Sequence, residues 1–352
     1  MSIESILPLV LGLILFSFCV TGVFLVPFID LLYKLKMTRR KEAPSKGKVP
    51  LFDTLHDIKA GTPIGGGILI VFVVTVLFIL VFPFSSHMGV FIRSAYDLKY
   101  ELFVIFFTFI SFAVLGLIDD YVKIFGKATS SGSLGFAFGL TKSQKFLLQW
   151  VLAFAISFTM YFYLKIQILH IPLLGAVLDL GWFFIPFAAF VIVAFANAVN
   201  ITDGLDGLSC GVLLICLVAF VIIAANNLDT PIAVFIAIWI GSLIAFLYFN
   251  VWPARIFLGD AGALSFGAML AVIGLLTGNI VALVVIGGIF VIETVSSALQ
   301  VLGWKFLKRP ILPLAPLHHT LQALGWPEQK IVMRAWILAI LLAIFGLWLA
   351  TI

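Results

Sequence analysis

The chain has 352 residues, of which 63% are hydrophobic and 11% are charged. Its mean hydropathy of +1.24 excludes an ordinary soluble domain. Runs of about 20 apolar residues recur along the chain, as membrane-spanning helices require. The formal net charge of +5 favours anionic lipid or a phosphorylated substrate. Nucleic acid is not expected as a partner, because the basic residues fall in short, separate loops.

Ten apolar runs predict about ten transmembrane helices in a single all-α, polytopic membrane domain that covers residues 1–352. A transmembrane β-barrel would need short segments of alternating hydrophobicity, which are absent from the sequence. The ninth run, near 279–303, contains Gly287-Gly288 and predicts a long helix that is bent or broken. The predicted spans are 6–33, 65–83, 102–118, 145–164, 182–200, 207–225, 231–249, 262–277, 279–303 and 331–351.

The basic residues predict the orientation of these spans. Ten spans place the loops after spans 1, 3, 5, 7 and 9 on one side of the membrane and both termini on the other. Of the 21 Lys and Arg residues, only Arg93, Lys99 and Lys165 fall on the side of the termini. Because loops rich in Lys and Arg stay in the cytoplasm, both termini are predicted to be periplasmic.

The third span is followed by two adjacent carboxylates, Asp119 and Asp120. Neighbouring residues on a helix point about 100° apart, so both side chains could reach one metal ion or phosphate group. Mg²⁺ prefers carboxylate oxygens and shares itself with phosphate oxygens. An aspartate pair at a membrane boundary is also a common topological stop, so this motif alone leaves both interpretations open.

The segment 197–208 carries a more specific pattern. Asn197, Asn200, Asp203 and Asp206 recur every three residues, which places them on one face of a helical turn. Two glycines beside Asp206 would let the backbone offer N–H groups to a ligand. Four such polar residues between two apolar runs would be costly if left unpaired in hydrocarbon. The pattern therefore indicates a binding site more than a helix cap.

Two later motifs have the same character. Asp260 lies between glycines in the segment 250–262, at a position suited to a metal ligand or a helix N-cap. Phe257, about one turn earlier, offers a ring that could stack on a planar base. His318 and His319 end a proline-rich basic loop, and protonated imidazoles could bind phosphate.

Taken together, these motifs supply the parts that phosphoryl transfer requires. Carboxylates are available for Mg²⁺, amides and glycines for a nucleotide, and Lys59 and Lys142 for phosphate. Positioning and charge neutralisation account for most of the catalysis in such reactions.

The sequence resembles the polyprenyl-phosphate N-acetylhexosamine-1-phosphate transferases over essentially the whole chain. The strings at 197–208 and 250–262 are the most specific, whereas Asp119-Asp120 is not. The matching motifs are Lys59-Ala60-Gly61-Thr62-Pro63, Gly66-Gly67, Asp119-Asp120, the segments 197–208 and 250–262, Glu293-Thr294, Gln300, and the segments 315–319 and 325–327.

The resemblance implies an Mg²⁺-dependent enzyme in the bacterial inner membrane, with its active site on the cytoplasmic face. The expected reaction transfers phospho-MurNAc-pentapeptide from UDP-MurNAc-pentapeptide to undecaprenyl phosphate and yields lipid I and UMP. Attack on the sugar-linked phosphorus is direct or passes through a covalent aspartyl intermediate. Members of the family are commonly homodimers, and membrane lipid is the surrounding partner.

The resemblance also implies roles for individual residues. Asp260 is the expected Mg²⁺ ligand, with Asp119, Asp120 and Asp203 as further metal candidates. Asp119, Asp120, Asp260 and His318 are the expected catalytic residues. The expected substrate-binding residues are Lys59, Lys142, Asn197, Asn200, Asp203, Gly204, Leu205, Asp206, Asn250, Phe257, Glu293, Gln300 and His319.

The sequence departs from the family pattern at several positions. His318-His319-Thr320 stands where a His triplet is usual, and Ala261 and Ala263 replace the usual Thr and Ser. Leu258 stands where Met is typical, and Ile64-Gly65 replaces a common Thr-Met pair. These changes leave the expected Mg²⁺ and nucleotide residues intact, so they bear on sugar and peptide selectivity more than on the reaction type.

Two alternatives stay open at this point. A sister enzyme that uses UDP-GlcNAc or a related sugar would need the same chemistry, although the Pro-Leu-His-His and Gly-Trp-Pro context favours the muramoyl donor. A transporter is the more distant alternative, and it should carry its ionisable residues near midspan, between internal repeats. Here they cluster at the span ends on one side, which argues against transport.

Overall fold

The computed structural model describes residues 6–39, 59–84, 92–128, 134–135 and 141–352, without the side chains of 127–128, 134–135 and 142. Nearly all of the regular structure in these residues is helical. The helices are α1 (Leu7–Lys34), α2 (Gly66–Val81), α3 (Leu98–Phe125), α4 (Lys142–Phe162), α5 (Phe184–Thr202), α6 (Leu208–Asn226), α7 (Thr230–Asn250), α8 (Gly259–Leu276), α9 (Ile280–Ile286), α10 (Gly288–Leu302), α11 (Leu317–Ala323) and α12 (Glu328–Thr351).

Ten of the helices in the described part of the chain are long and apolar enough to cross a membrane. This confirms the predicted all-α polytopic fold. The predicted boundaries were short at several ends. The largest difference is in α3, which was predicted to end at 118 and continues to Phe125, so Asp119 and Asp120 lie inside the helix.

Local sequence signals explain where several helices begin. The Asp97 carboxylate accepts the Lys99 N–H at 3.0 Å before α3, and Thr141 and Gln144 form a reciprocal capping box before α4. Such caps satisfy N–H groups that have no partner within the helix.

The expected irregularity of the ninth span is confirmed. Its helix is interrupted at Gly287, which separates α9 from α10. A Cβ at Gly287 would overlap the ring of Phe195 on α5, so close packing requires glycine there. A turn of π-helix follows α10 at Gly303–Leu307, and such turns bend helices.

Two short hairpins connect helices. Strands β1 (Lys127–Ala128) and β2 (Leu134–Gly135) pair between α3 and α4. Strands β3 (Ile168–Ile171) and β4 (Ala176–Asp179) pair antiparallel between α4 and α5, with Ile168 opposite Asp179. The sequence left a short helix or a hairpin open for the second connection, and the structure has a hairpin.

Helices α7 and α8 form the centre of the bundle. Trp239 on α7 and Phe266 on α8 are fully buried, and their ring centroids lie 5.1 Å apart. Phe109 of α3 and Phe235 of α7 complete this aromatic core, with ring centroids 5.1 Å apart. Offset and edge-on ring contacts of this kind add to the apolar burial.

Glycines allow α8 to approach its neighbours closely. A Cβ at Gly116 of α3 would overlap the backbone carbonyl of Asp260, and one at Gly67 of α2 would overlap the Gly262 Cα. Small residues at helix crossings are typical of membrane bundles. Here they bring the end of α3 against the start of α8, where the polar residues lie.

Candidate active site

A polar cleft of about 500 Å³ opens at one end of the bundle. Helices α3, α5 and α7 end there, and α6, α8 and α12 begin there. The β3–β4 hairpin, which connects the far ends of α4 and α5, belongs to the opposite end. The cleft is lined by Arg39, Ile64, Asp120, Lys123, Ile124, Asp203, Gly204, Leu205, Asp206, Asn250, Phe257, Gly259 and Asp260.

Two carboxylates and two lysines form a cluster, the acidic centre, of which Lys123 and Asp260 line the cleft. The Lys145 Nζ lies 2.5 Å from the Asp119 Oδ2 and 2.6 Å from the Asp260 Oδ2. The Lys123 Nζ lies 3.0 Å and 2.7 Å from the same two oxygens. The carboxylates therefore converge on shared cations although they are 141 positions apart in the sequence. Charge-assisted contacts of this length are strong when partly buried.

Lys123 and Lys145 were not among the predicted site residues. Lys123 lies one helical turn after Asp119, and an i, i+4 spacing was the signal that could have identified it. Lys145 lies on the first turns of α4, four residues before Gln149, whose side chain meets Asn197 on α5. The prediction instead selected Lys142, which begins α4 and whose side chain lies outside the described residues.

Asp120 makes a different set of contacts from Asp119. Its Oδ1 accepts the Asp260 N–H at 3.0 Å, and its Oδ2 accepts the Ala261 N–H at 3.1 Å. The N-cap residue of α8, Leu258, provides no side-chain cap. Asp120 thus caps α8 from a neighbouring helix, where its negative charge also suits the helix dipole. Both carboxylate oxygens of Asp120 are therefore bonded to backbone N–H groups, and these bonds hold the backbone of Asp260 in position.

The residues at this centre fit a magnesium ion. No group of three His, Cys, Asp or Glu side chains within the described ranges could hold a metal by itself. Mg²⁺ commonly takes only one or two protein carboxylates and completes its octahedron with water and substrate phosphate. The convergent Oδ2 atoms of Asp119 and Asp260 match that donor set.

The other side of the cleft is built from the turn between α5 and α6. The Asp206 Oδ1 lies 2.6 Å from the Lys59 Nζ, and its Oδ2 accepts the Ala254 N–H at 2.9 Å. Gly204 and Leu205 of the same turn also line the cleft. This turn is therefore tied both to the loop after α1 and to the loop before α8.

Phe257 presents an aromatic ring to the cleft between two cations. The Arg39 guanidinium lies 5.7 Å from its ring centroid, and the Lys59 Nζ lies 6.0 Å from it. The backbone of Phe257 is fixed by hydrogen bonds to the Gly65 and Gly66 N–H groups at 3.2 and 2.9 Å. An aromatic face beside cations suits a planar, negatively charged ligand. Arg39 was not predicted as a site residue.

Asp203 directly follows α5, lines the cleft and is half-buried. Burial, together with the neighbouring Asp260 and Asp206 carboxylates, raises the pKa of its carboxyl to about 7 against the opposing effect of Lys59 and Arg39. The group therefore changes charge near neutral pH.

His318 is buried behind Gly204. Its Nδ1 lies 3.0 Å from the Glu293 Oε2, which also accepts the His318 N–H at 3.3 Å. A carboxylate oxygen only accepts hydrogen bonds, so this contact suits the tautomer with its proton on Nδ1. Among the described residues the Nε2 atom has no hydrogen-bond partner, and a Cβ added to Gly204 would lie only 2.4 Å from it. Glu293 thus orients an imidazole whose second nitrogen is available towards the cleft turn.

Several predicted residues support the cleft from outside its lining. The Gln300 Oε1 accepts the Ile311 and Leu312 N–H groups at 3.0 and 2.9 Å, which holds the proline-rich loop. The His319 Nδ1 lies 2.7 Å from the Gln322 Oε1. The Asn197 Nδ2 donates to the Gln149 Oε1 at 2.6 Å.

Asn250 and Asn200 complete the set. The Asn250 Nδ2 donates to the Ile256 carbonyl at 2.9 Å, so this lining residue closes the loop that carries Phe257. Asn200 is half-buried near the end of α5. The structure thus places Asp203 and Asp260 in the lining of one cleft, and Asp119 shares lysine contacts with Asp260. Asn197, Gln300 and His319 lie outside the lining, in supporting positions.

Residues 102–278 match glycosyl transferase family 4. The chain is 34% identical over 342 residues to the phospho-N-acetylmuramoyl-pentapeptide-transferase of Bacillus pumilus (strain SAFR-032), covering 97% of both chains. It is 34% identical over 325 residues to the protein of the same name in Bacillus subtilis (strain 168), covering 92% of both chains. The chain belongs to the phospho-N-acetylmuramoyl-pentapeptide transferase family.

The similarity to these relatives covers more of the chain than the family 4 match does. The family 4 match contains Asp119, Asp260 and the 197–208 turn, whereas Lys59 and His318 lie outside it. A member from Oceanobacillus iheyensis (strain DSM 14371 / CIP 107618 / JCM 11309 / KCTC 3954 / HTE831) is 32% identical and covers 96% of both chains. The resemblance drawn from the motifs is confirmed at the level of the family.

Proposed function

We propose that this chain transfers phospho-MurNAc-pentapeptide from UDP-MurNAc-pentapeptide to undecaprenyl phosphate, giving lipid I and UMP, in bacterial peptidoglycan synthesis. The names of its relatives, which are similar over almost the whole chain, support this reaction. The structural observation that carries it is a cleft lined by Lys123, Asp260 and Phe257. Asp119 and Lys145 form ion pairs with these lining residues.

The two sides of the cleft suit the two parts of a nucleotide diphosphate. Phe257 would stack on the uracil, with Gly204 and Leu205 along the uridine. Lys123 and Lys145 would neutralise the phosphate groups, because their ammonium groups already contact the Asp260 carboxylate. Positioning and charge neutralisation of this kind supply most of the catalysis of phosphoryl transfer.

The reacting groups follow from this placement. An oxygen of undecaprenyl phosphate forms a bond to the phosphorus that carries the sugar, the bond from that phosphorus to the UMP oxygen breaks, and UMP leaves. Asp119 would orient the lipid phosphate or remove its proton, since its carboxylate shares the Lys123 and Lys145 ammonium groups with Asp260, which lines the cleft. Asp120 would keep Asp260 in place through the start of α8.

Asp119 and Asp260 would hold Mg²⁺, whose chemistry is to neutralise the diphosphate charge. We place the cleft on the cytoplasmic side of the membrane, because the loops at its end of the bundle carry most of the basic residues. That side is where a soluble nucleotide sugar meets the membrane. We further propose a homodimer, which light scattering of the detergent-solubilised protein would test.

A radiolabel transfer assay tests the proposed function. Purified protein in detergent receives UDP-MurNAc-pentapeptide, undecaprenyl phosphate and Mg²⁺, and the expected products are labelled lipid I and UMP. A parallel arm with UDP-GlcNAc is expected to label no lipid, and a chelator is expected to stop the reaction. Transfer from UDP-GlcNAc but not from the muramoyl donor would refute the proposed substrate.

Asp119→Asn tests the role of the acidic centre separately. The variant should lose transfer activity because the amide cannot take up a proton. It should still bind UMP, because the amide keeps the size of the side chain and the uracil site at Phe257 is unchanged. Full transfer activity in Asp119→Asn would remove Asp119 from the chemistry.

A further inference from the structure

Glu328 is a half-buried carboxylate beside the cleft, in contact with the lining residue Asp206. It is the first residue of α12, and its side chain is 12% exposed. Its Oε1 lies 2.6 Å from the Lys59 Nζ and accepts the Asp206 backbone N–H at 2.6 Å. One oxygen atom therefore connects three segments of the chain: α12, the loop after α1 and the turn between α5 and α6.

The same cluster reaches a fourth segment. Asp206 also contacts Lys59, at 2.6 Å, and it accepts the Ala254 N–H at 2.9 Å. Ala254 belongs to the loop that carries Phe257, so the position of the aromatic ring depends on the same contacts. Without Glu328, Lys59 would retain Asp206 as its ion-pair partner, but the Asp206 N–H would lose its acceptor.

Lys59 uses two of its three N–H donors in this cluster. An ammonium group has three donors, and two of them point at Glu328 and Asp206. Within the part of the chain that the structure describes, the third donor has no acceptor, and the Phe257 ring lies 6.0 Å from the Nζ atom. A long, flexible lysine loses rotamer freedom when it binds, so holding it in advance favours binding.

We propose that Glu328 is a positioning residue for the nucleotide. It holds the Lys59 ammonium and the 203–207 turn in the arrangement that receives the uridine and its nearest phosphate. The ligand class rests on the proposed function, whereas the positioning itself is measurable as nucleotide binding. Glu328 acts through Lys59 and the turn, so its loss should weaken nucleotide binding more than it slows the chemical step.

UMP binding to the purified full-length protein, measured by titration calorimetry in detergent, tests this proposal. Glu328→Ala should weaken UMP binding about tenfold to a hundredfold, the range expected for hydrogen bonds to charged groups. In transfer assays the KM for the nucleotide sugar should rise by a similar factor while kcat changes about threefold or less. Gln329→Ala, at the exposed neighbouring position on α12, is the matched control and should bind UMP like the wild type.

A double-mutant cycle separates positioning from a general effect on stability. If Glu328 acts through Lys59, the loss in Lys59→Ala/Glu328→Ala should be clearly smaller than the product of the two single losses. Glu328→Gln keeps an acceptor oxygen and should recover part of the binding, which also covers the case in which Glu328→Ala does not fold. Multiplicative losses, or UMP binding within twofold of wild type in Glu328→Gln and Glu328→Ala, would overturn the proposal.

The two proposals fail in distinguishable ways. If the wild type binds UMP but makes no lipid I, the proposed function is wrong. The double-mutant cycle measured by UMP binding still tests the role of Glu328. If the wild type makes lipid I and the Glu328 variants bind UMP normally, only the positioning role is wrong.

Discussion

At the cleft end of the bundle, Asp119 and Asp260 both contact Lys123 and Lys145. At the opposite end, Glu101 and Asp229 are 0% and 3% exposed and lie beside each other. Neither forms an ion pair with Lys or Arg within the described residues. Both ends therefore bury carboxyl groups, but only the cleft end provides cations for them.

The neighbours of Asp229 indicate a structural role for the distal pair. The Asp229 Oδ1 accepts the Ile232 N–H at 3.2 Å and caps α7, while Glu101 accepts a hydrogen bond from the Ser94 hydroxyl. Burial raises the pKa of Asp229, and burial together with these two carboxyls raises the pKa of Tyr96 to about 12. Burial away from cations favours the protonated form of a carboxyl group, whereas a carboxylate that contacts a lysine can exchange that lysine for a ligand.

The largest effect is expected from Asp260→Ala at the cleft. Removing a carboxylate at the centre of the developing charge should lower kcat by at least about a hundredfold to a thousandfold. The measurement is Mg²⁺-dependent UMP release in detergent. Asp30→Asn, which changes an exposed carboxylate on α1, is the control and should retain activity. Near-normal turnover in Asp260→Ala would contradict the assignment of this centre.

The two lysines of the centre should differ in importance. The Lys145 side chain is 18% exposed and that of Lys123 is 50% exposed, so solvent screens Lys123 more strongly. Lys145→Ala should lower kcat/KM about tenfold to a hundredfold, and Lys123→Ala should cost less. Steady-state kinetics on both variants decide this. A larger loss in Lys123→Ala would reverse the inferred order.

A smaller effect is expected in the pH dependence of stability. Because the pKa of Asp203 rises from 3.8 to about 7 on folding, the unfolded state loses its proton first as pH rises. Native stability should therefore fall between about pH 4 and 7 and level off above that range. Asp203→Asn should remove this fall, so its Tm relative to wild type should be higher at pH 8 than at pH 5. A difference in Tm that does not change with pH would contradict the raised pKa.

The smallest effect on activity is expected at the distal pair. Asp229→Asn keeps an acceptor for the Ile232 N–H, since Asn is also a good N-cap, and it removes the titratable carboxyl group. Transfer activity should stay within about twofold, as is usual for a change remote from the chemistry. Because the pKa of Asp229 is raised, the Tm of the variant should gain on the wild type as pH increases. Loss of lipid I formation would show that the two ends are coupled.

The sequence determined the helical architecture and much of the site chemistry. Long apolar runs can satisfy their backbone hydrogen bonds in hydrocarbon only as helices, so the ten spans and the break at Gly287 were predictable from composition and glycine placement. The polar motifs around Asp203 and Asp260 were predictable because polar groups next to apolar spans need partners or ligands. The family followed from the same motifs.

Only the tertiary structure decided which of these residues contact one another in the site. The close crossing at Gly116 turns Asp120 towards the start of α8, although it is the sequence neighbour of Asp119. Lys145 contacts Asp260, and Glu328 contacts Lys59. The two residues of each pair are far apart in the sequence, so no local spacing connects them. Periodicity reports which face of one helix a residue occupies, whereas contacts between helices depend on how those faces pack.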